Sequence, residues 1–252
     1  MTLLEVCLDD IQGAIIAEQR GADRIELCSG LSDGGTTPSI GTVSTVLGSI
    51  ERTGVRVLVR QRSGDFMYST AELQAMCADI EAIRSLDAPP GVEVGFALGA
   101  LTPDGEIDRA ATSRMLKACG TASVTFHKAF DLTRDVTKSL DTLIDLGVDR
   151  VLTSGGTQTA ANGVDTLGRL VQQSAGRIKI LAAGGIRAHN VAEITARSGV
   201  VEVHFRATAP IASATLRTGL SNDYDSGSRM VTSGAVIDGM LRAIEAAGNS
   251  DE

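Results

Sequence analysis

The sequence predicts a (β/α)8 barrel, the TIM barrel form of the α/β class. Short β-branched or aliphatic segments alternate with helical patterns along the chain, and each segment is closed by Gly, Asp or Asn. Short connections between such units produce right-handed crossovers and a parallel sheet. Eight units in 252 residues close most economically as a barrel, which typically spans about 250 residues. We therefore expect a single domain over residues 1–252.

The periodicity of apolar residues predicts eight strands and eight helices. The strands are expected near residues 3–8, 23–28, 55–60, 92–97, 122–127, 149–153, 177–182 and 201–206. The helices are expected near residues 10–20, 39–51, 70–86, 107–119, 135–146, 160–175, 190–198 and 232–247. Two phrases, QRGADRIEL and DLGVDRVLT, repeat one pattern of helix end, glycine and aliphatic strand. Gly21 and Gly147 in these phrases are expected to adopt the left-handed conformation.

Two segments interrupt this alternation. SGLSDGGTTPS, after the second strand, is rich in glycine and is expected to form a structured turn before a helix that Pro38 opens. The segment near 207–231 is long, polar and rich in small residues. Connections of that length are usually lids, binding loops or disordered segments. We expect a lid or disorder here.

The charge of the chain excludes some classes of partner. The net charge is −8 and the isoelectric point is near 5.0, so the sequence predicts binding neither to nucleic acid nor to anionic membrane surfaces. It contains no apolar run of membrane-spanning length, and its first residues lack the features of a signal peptide. These observations predict a cytoplasmic protein whose four cysteines remain reduced.

Polar side chains are frequent where the predicted strands end. In a TIM barrel the strand ends and the loops that follow them converge at one face, where active sites lie. The residues expected at this face are Glu5, Cys7, Asp9, Glu26, Cys28, Arg60, Arg62, His127, Asp131, Thr153, Ser154, Gly184, Gly185, His204 and Arg206.

Two arginines end the third strand. Arg60 and Arg62 are separated by one residue, so both are expected on the same face of the strand. One interpretation is an ion-pair network in which they neutralise Glu5 and Glu26. The other is that the arginines bind a planar or phosphorylated anion, for which the guanidinium geometry is suited.

Candidate acid-base residues lie at the ends of the second and fifth strands. His127 is followed four residues later by Asp131, an arrangement expected of a general base with an orienting carboxylate. Glu26 is the alternative group for moving a proton. A structural role for His127 is the competing interpretation.

The seventh strand ends in Gly184 and Gly185, which allow the backbone to approach a ligand closely. In many barrels the loops after strands seven and eight bind a phosphate group. We expect these glycines, together with Ser154, to bind a phosphate or carboxylate. The turn after the eighth strand, VHFRATAP, lacks the glycines of the second half of such a site.

Cys7 and Cys28 occupy matched positions on the first two strands, since the phrases EVC and ELC are separated by the same interval. Their side chains are expected to be neighbours at or just below the barrel mouth. A pair of thiols favours Cu(I) or Zn(II). Packing of two small apolar residues is the other interpretation.

At these residues the sequence resembles the copper homeostasis protein CutC family. The matching phrases run in order from LEVCLDD and GADRIELCSGL through GGTTPS, RSGDFMYS, GALTPDG and VTFHKAFDLTRD to LGVDRVLTSGG, GGIRAHN and VHFRA. The resemblance implies a TIM barrel, a cytosolic homo-oligomer and Cu(I) binding by cysteine, with Cys28 as the first ligand and Cys7 as its partner. One departure concerns the metal, because Met67 stands where the family has a cysteine.

Two functions from different classes follow. The first is copper homeostasis with Cu(I) bound by Cys28 and Cys7. The alternative is a lyase, aldolase or isomerase that acts on a small anionic or phosphorylated metabolite. In that case Glu26, His127 and Asp131 would carry the catalysis, and the ligand would be bound by Glu5, Arg60, Arg62, Ser154, Gly184, Gly185 and His204. The sequence indicates no organic cofactor and leaves open whether the protein is an enzyme.

Overall fold

A computed structural model describes residues 2–214 and 227–248, with side chains to residue 246. Eight parallel strands close into a barrel in chain order, and β1 pairs with β8. The strands are β1 Leu3–Leu8, β2 Arg24–Leu27, β3 Gly54–Leu58, β4 Val94–Leu98, β5 Val124–Phe126, β6 Arg150–Thr153, β7 Lys179–Ala182 and β8 Glu202–Arg206. The predicted TIM barrel is therefore confirmed.

The helices alternate with the strands and surround the barrel. They are α1 Ile11–Gln19, α2 Ile40–Leu47, α3 Thr70–Arg84, α4 Arg109–Cys119, α5 Val136–Leu146, α6 Val164–Ser174, α7 Val191–Ser198 and α8 Gly234–Gly248. None of the helices in the described ranges is long and apolar enough to cross a membrane.

Helix ends follow local capping chemistry. Ser69 and Glu72 form a capping box at the start of α3, and Gly147 ends α5 in the left-handed conformation, as predicted. Gly21 also has a positive φ. Helix α2 ends earlier than expected, because its last turn closes at Gly48. Helix α6 begins later than expected, since Gly163 is its N-cap.

The alternation of side chains along each strand separates two kinds of core. On β1, Leu4, Val6 and Leu8 pack in the large apolar cluster that the surrounding helices share. Glu5 and Cys7, the residues between them, belong to the barrel interior. Cys7 lies there in a small cluster with Cys28, Leu31, Leu58 and Ala97.

The segment expected near 207–231 begins and ends with ordered strands. Residues Thr208–Ala212 (β9) and Ser228–Thr232 (β10) pair in an antiparallel arrangement. Thr232 is tied to α1, because its hydroxyl donates a hydrogen bond to the side chain of Asp10 at 2.6 Å. The expectation of a lid or disorder falls mainly on residues 215–226, which lie outside the described residues.

Candidate metal and ligand site at the barrel mouth

A cavity of about 260 Å³ opens at the carboxyl ends of the strands. Its lining brings together residues from β1, β2, β3, β6 and β8 and from the loops that follow β2, β3 and β5. The lining residues are Cys7, Glu26, Cys28, Leu31, Gly34, Leu58, Arg60, Phe66, His127, Lys128, Leu152, His204 and Arg206.

The two predicted thiols are neighbours in this lining. The sulfur atoms of Cys7 and Cys28 are 3.9 Å apart, and both residues are buried. The register explains the contact: Cys7 pairs with Glu26 across β1 and β2, and Cys28 follows on the same face two residues later. Both cysteines are free thiols, because this separation is well beyond the roughly 2 Å of a disulfide bond.

A histidine and a carboxylate complete a group of metal-ligating side chains. One donor atom each from Cys7, Glu26 and His204 lie within 4.8 Å of one another, and all three residues are buried. His204 reaches this group because β8 pairs with β1 at Glu5. Its Nδ1 atom is 2.7 Å from the Glu5 carboxylate, and this contact orients the imidazole so that Nε2 faces the cavity, as carboxylates orient metal-ligating histidines in other proteins.

The charges of this group favour a thiolate at Cys7. The hydrogen bond from Cys28 is the largest influence and outweighs burial, and with His204 it lowers the pKa of Cys7 to about 5. The same bond raises the pKa of Cys28 well above its usual value. Burial acts to lower the pKa of His204, but its hydrogen bonds to Cys7 and Glu5 raise the pKa well above 6.5. Cys7 and His204 thus form a buried pair of opposite charges.

The two glutamates next to the thiols differ in protonation. Burial acts to raise the pKa of Glu5, but the hydrogen bond and charge of His204 and Arg24 outweigh it and lower the pKa to about 2. For Glu26, burial and the negative charge of Cys7 raise the pKa well above its usual value. Glu5 is therefore the charged carboxylate and Glu26 the neutral one.

The predicted pairing of these glutamates with Arg60 and Arg62 is wrong. Arg60 lines the cavity, but its guanidinium donates to the carbonyls of three loop glycines, Gly34, Gly35 and Gly64. Arg62 lies outside the cavity lining and bonds to Asp65 and Glu72. The partners of Glu5 are instead Arg24 and His204, which project from the adjacent strands β2 and β8.

The predicted pairing of His127 with Asp131 is also wrong. Asp131 accepts hydrogen bonds from the Lys128 ammonium at 2.7 Å, from the Thr153 hydroxyl at 2.5 Å and from the Ser154 amide at 2.9 Å. These partners hold it at the end of β6. His127 lines the cavity, and its Nδ1 atom accepts from the amide of Ala129 at 3.4 Å. Burial and the charge of Arg60 lower the pKa of His127 to about 3.

Ser154 and the two glycines of the seventh strand end lie beside the cavity rather than in its lining. The Ser154 hydroxyl is 2.8 Å from both the Lys128 ammonium and the Asp131 carboxylate. Gly184 and Gly185 have positive φ values, as a tight turn requires. A Cβ added at Gly184 would lie 3.1 Å from the Ser154 side chain. The glycines therefore allow this turn to pack against Ser154.

A layer of buried charges below the cavity was not anticipated from the sequence. Glu202 accepts from Arg24 at 2.8 Å and from Arg150 at 3.2 Å. Arg56 lies in the same interior and reaches Glu93 at 2.8 Å. The sequence does contain a pattern that indicates this layer. Single charged residues alternate with aliphatic ones in DRIEL, GVRVLV, DRVLT and VEVHF, which places the charged side chains on one face of each strand.

Comparison with known proteins identifies the family. The sequence profile of the CutC family matches residues 2–209. The copper homeostasis protein cutC homolog of Homo sapiens is 45% identical over 202 residues, which are 80% of this chain and 72% of that protein. A CutC family protein of Bacteroides thetaiotaomicron is 43% identical over 209 residues, 83% and 82% of the two chains.

Solved structures agree with this assignment. A crystal structure of CutC from Streptococcus agalactiae superimposes with a TM-score of 0.73 at 32% identity, over 81% of this chain and 98% of that chain. Phosphoribosylanthranilate isomerase from Pyrococcus furiosus has a TM-score of 0.56 over 98% of this chain and 100% of that chain, but only 12% of its residues are identical. That second likeness shows the barrel fold alone. The chain belongs to the CutC family.

Proposed function

We propose that this protein takes part in copper homeostasis by binding Cu(I) between the sulfur atoms of Cys7 and Cys28. The observation that carries the proposal is the 3.9 Å separation of two free, buried thiols that line an open cavity. Thiolate sulfur is the soft ligand type that selects Cu(I). The names of the human and streptococcal relatives, which refer to copper homeostasis, support the same cargo.

The surroundings of the thiols are consistent with metal binding. Cys7 is held as a thiolate by its neighbours, so one ligand requires no deprotonation at neutral pH. His204 and Glu26 lie within reach of the same ion, and each would have to release its proton before it could act as a ligand. The Glu5 carboxylate contacts Nδ1 of the His204 imidazole. Met67, in the position of the family cysteine, is exposed and lies outside the cavity lining.

The proposal places the protein in the cytosol, whose reducing conditions keep both thiols free. The homo-oligomeric state implied by the family resemblance stays a prediction. The residues assigned to acid-base catalysis are not assembled into one group, since Asp131 contacts Ser154 and Lys128 rather than His127. We therefore propose no second function.

Anaerobic titration of Cu(I) against a competing chelator tests the proposal. We expect one tight site per chain in the wild-type protein, and loss of that site in both Cys7→Ser and Cys28→Ser. Cys119→Ser is the matched control, because Cys119 is a free thiol buried in α4 away from the mouth. Wild-type affinity in both mouth variants would overturn the proposal.

A further inference from the structure

The cavity is larger than a metal ion requires. Its volume of about 260 Å³ lies just below the roughly 300–1,000 Å³ typical of sites for drug-sized molecules, whereas a single water needs only about 10–15 Å³. The two sulfurs form part of its lining, so Cu(I) bound there would leave most of the volume free. The remaining space is lined by arginines, a histidine and apolar side chains.

Two arginines in the lining are not neutralised by any carboxylate of the described residues. Among the described residues, the guanidinium of Arg60 donates to carbonyl groups alone, those of Gly34 at 3.1 Å, Gly35 at 3.0 Å and Gly64 at 2.8 Å. Within the same part of the chain, the guanidinium of Arg206 makes one long contact, 3.5 Å to the carbonyl of Leu31. Arg60 is buried, whereas Arg206 is exposed at the rim of the cavity. Guanidinium groups without a carboxylate partner can bind an anion in the space beside them.

His127 adds a hydrogen-bond donor that lacks an acceptor. Its Nδ1 atom accepts from the backbone amide of Ala129, so the proton of the neutral imidazole is on Nε2. Nε2 has no hydrogen-bond partner among the described residues, although His127 is only 4% exposed. A buried donor without an acceptor is destabilising, because it has lost its hydrogen bond to water and gained none in return. An acceptor on a bound ligand would satisfy it.

The rest of the lining is apolar. Leu31, Leu58, Phe66 and Leu152 are among the cavity residues, and the ring of Phe66 lies against both Arg60 and His127. The lining therefore combines soft sulfur ligands, cationic and neutral donors, and aliphatic walls. A matching ligand carries a sulfur, an anionic oxygen group and a short carbon skeleton between them.

We propose that the cavity receives Cu(I) as its complex with a small carboxylate-bearing thiol, and that one such thiol stays on the copper while its carboxylate binds Arg206 and the His127 donor. This inference rests on the proposed Cu(I) site. Two protein sulfurs leave a coordination position open on Cu(I), and the incoming thiolate occupies it. The arginines offset the negative charge that the additional thiolate and the carboxylate bring.

The exchange balances in sulfur ligands and protons. An incoming Cu(I) ion carrying two small thiolates forms bonds to the sulfurs of Cys7 and Cys28 and loses one of its own thiolates. The departing thiolate takes the proton that Cys28 gives up and leaves as a free thiol. Copper remains Cu(I) throughout, so the step needs neither an oxidant nor a reductant.

Two thiols of similar size provide the test. The protein is loaded anaerobically with Cu(I) in the presence of 3-mercaptopropionate or of 3-mercapto-1-propanol, and is then desalted. Copper and retained thiol are quantified by mass spectrometry. We expect retention of the carboxylate thiol to exceed that of the alcohol by about tenfold, the factor that one charge-assisted hydrogen bond supplies.

Variants of the lining locate the effect. Arg206→Gln should abolish the preference, Arg206→Lys should retain part of it, and Arg114→Gln, on the exposed face of α4, is the matched control. The comparison of the two thiols on the wild-type protein stands even where a variant fails to fold. Copper bound with no retained thiol, or with both thiols retained equally, would overturn the inference while leaving the copper site intact. Absence of bound copper with either thiol would overturn the proposed function, and the inference with it.

Discussion

The sulfur atoms of Cys7 and Cys28 lie 3.9 Å apart at the mouth of the barrel, on neighbouring strands and 21 residues apart in the chain. The helix between the two strands carries the chain back to the start of the barrel, so both parallel strands end at the same face, and the matched phase of EVC and ELC places both thiols on the inner side. His204 lies on β8, the last strand of the barrel, and its imidazole completes the group of metal-ligating side chains with Cys7 and Glu26. The proposed copper site therefore depends on the contact of β1 with both β2 and β8.

Cys7 should react as a thiolate in mildly acidic solution. The hydrogen bond from Cys28 and the charge of His204 lower the pKa of Cys7 to about 5, so its alkylation by iodoacetamide should reach half of its maximal rate near pH 5. Peptide mapping over a pH series measures this rate residue by residue. His204→Gln should move the midpoint upward, and His189→Gln, in the loop before α7, should not. A midpoint near the ordinary thiol pKa of about 8.5 in the wild-type protein would contradict the assigned ion pair.

Loss of Glu202 should strongly destabilise the barrel. Its carboxylate is the shared partner of the buried Arg24 and Arg150, and removal of one member of a buried ion pair typically costs about 3–5 kcal/mol. Urea unfolding of Glu202→Gln should show a loss of that order in the free energy of unfolding. Glu193→Gln breaks an exposed pair with Arg197 and should cost much less. Equal losses in the two variants would refute this assignment.

His127 should make the protein less stable in acid. In the folded chain burial and Arg60 lower the pKa of His127 to about 3, whereas in the unfolded chain its pKa is about 6.5. As the pH falls below about 6.5, the unfolded state binds a proton that the folded state does not. Stability contributed by the neutral imidazole is therefore present above that pH and is lost as the pH falls toward 3.

The loss due to His127 amounts to about 1.4 kcal/mol per pH unit between about pH 6 and pH 4. Chemical unfolding of the wild-type protein and of His127→Asn at several pH values measures the contribution of His127 to this pH dependence, because all other titrating groups are common to both chains. The difference between their unfolding free energies should change with that slope. A constant difference over this range would show that His127 is protonated in the folded protein.

The fold was predictable because its signal is local. Each strand is a short aliphatic segment between helical patterns, and glycines such as Gly147 mark helix ends. The proximity of Cys7 to Cys28 was predictable for the same reason, since consecutive parallel strands are neighbours and their phase can be read from the sequence. Helix bounds were less predictable, because caps such as Gly48 and Gly163 depend on how the flanking turns pack.

The partners of the charged residues were not predictable in this way. Arg60 occupies the expected face, but carbonyls of the loops after β2 and β3 take its donors, and loop conformation is not encoded in a strand pattern. Glu5 finds His204 because the barrel closes β8 on β1, a contact 199 residues apart in the chain. Arg24 could have been recognised, since it precedes Glu26 and Cys28 at the same phase of β2.

Anomalous diffraction from crystals of the Cu(I)-loaded protein, collected at the copper absorption edge, tests the proposed copper site most directly. We expect one strong copper peak within bonding distance of the sulfur atoms of both Cys7 and Cys28. This peak should disappear in crystals of Cys28→Ser and persist in crystals of Cys119→Ser. A copper peak elsewhere in the molecule, with both mouth thiols free of metal, would contradict the proposed site.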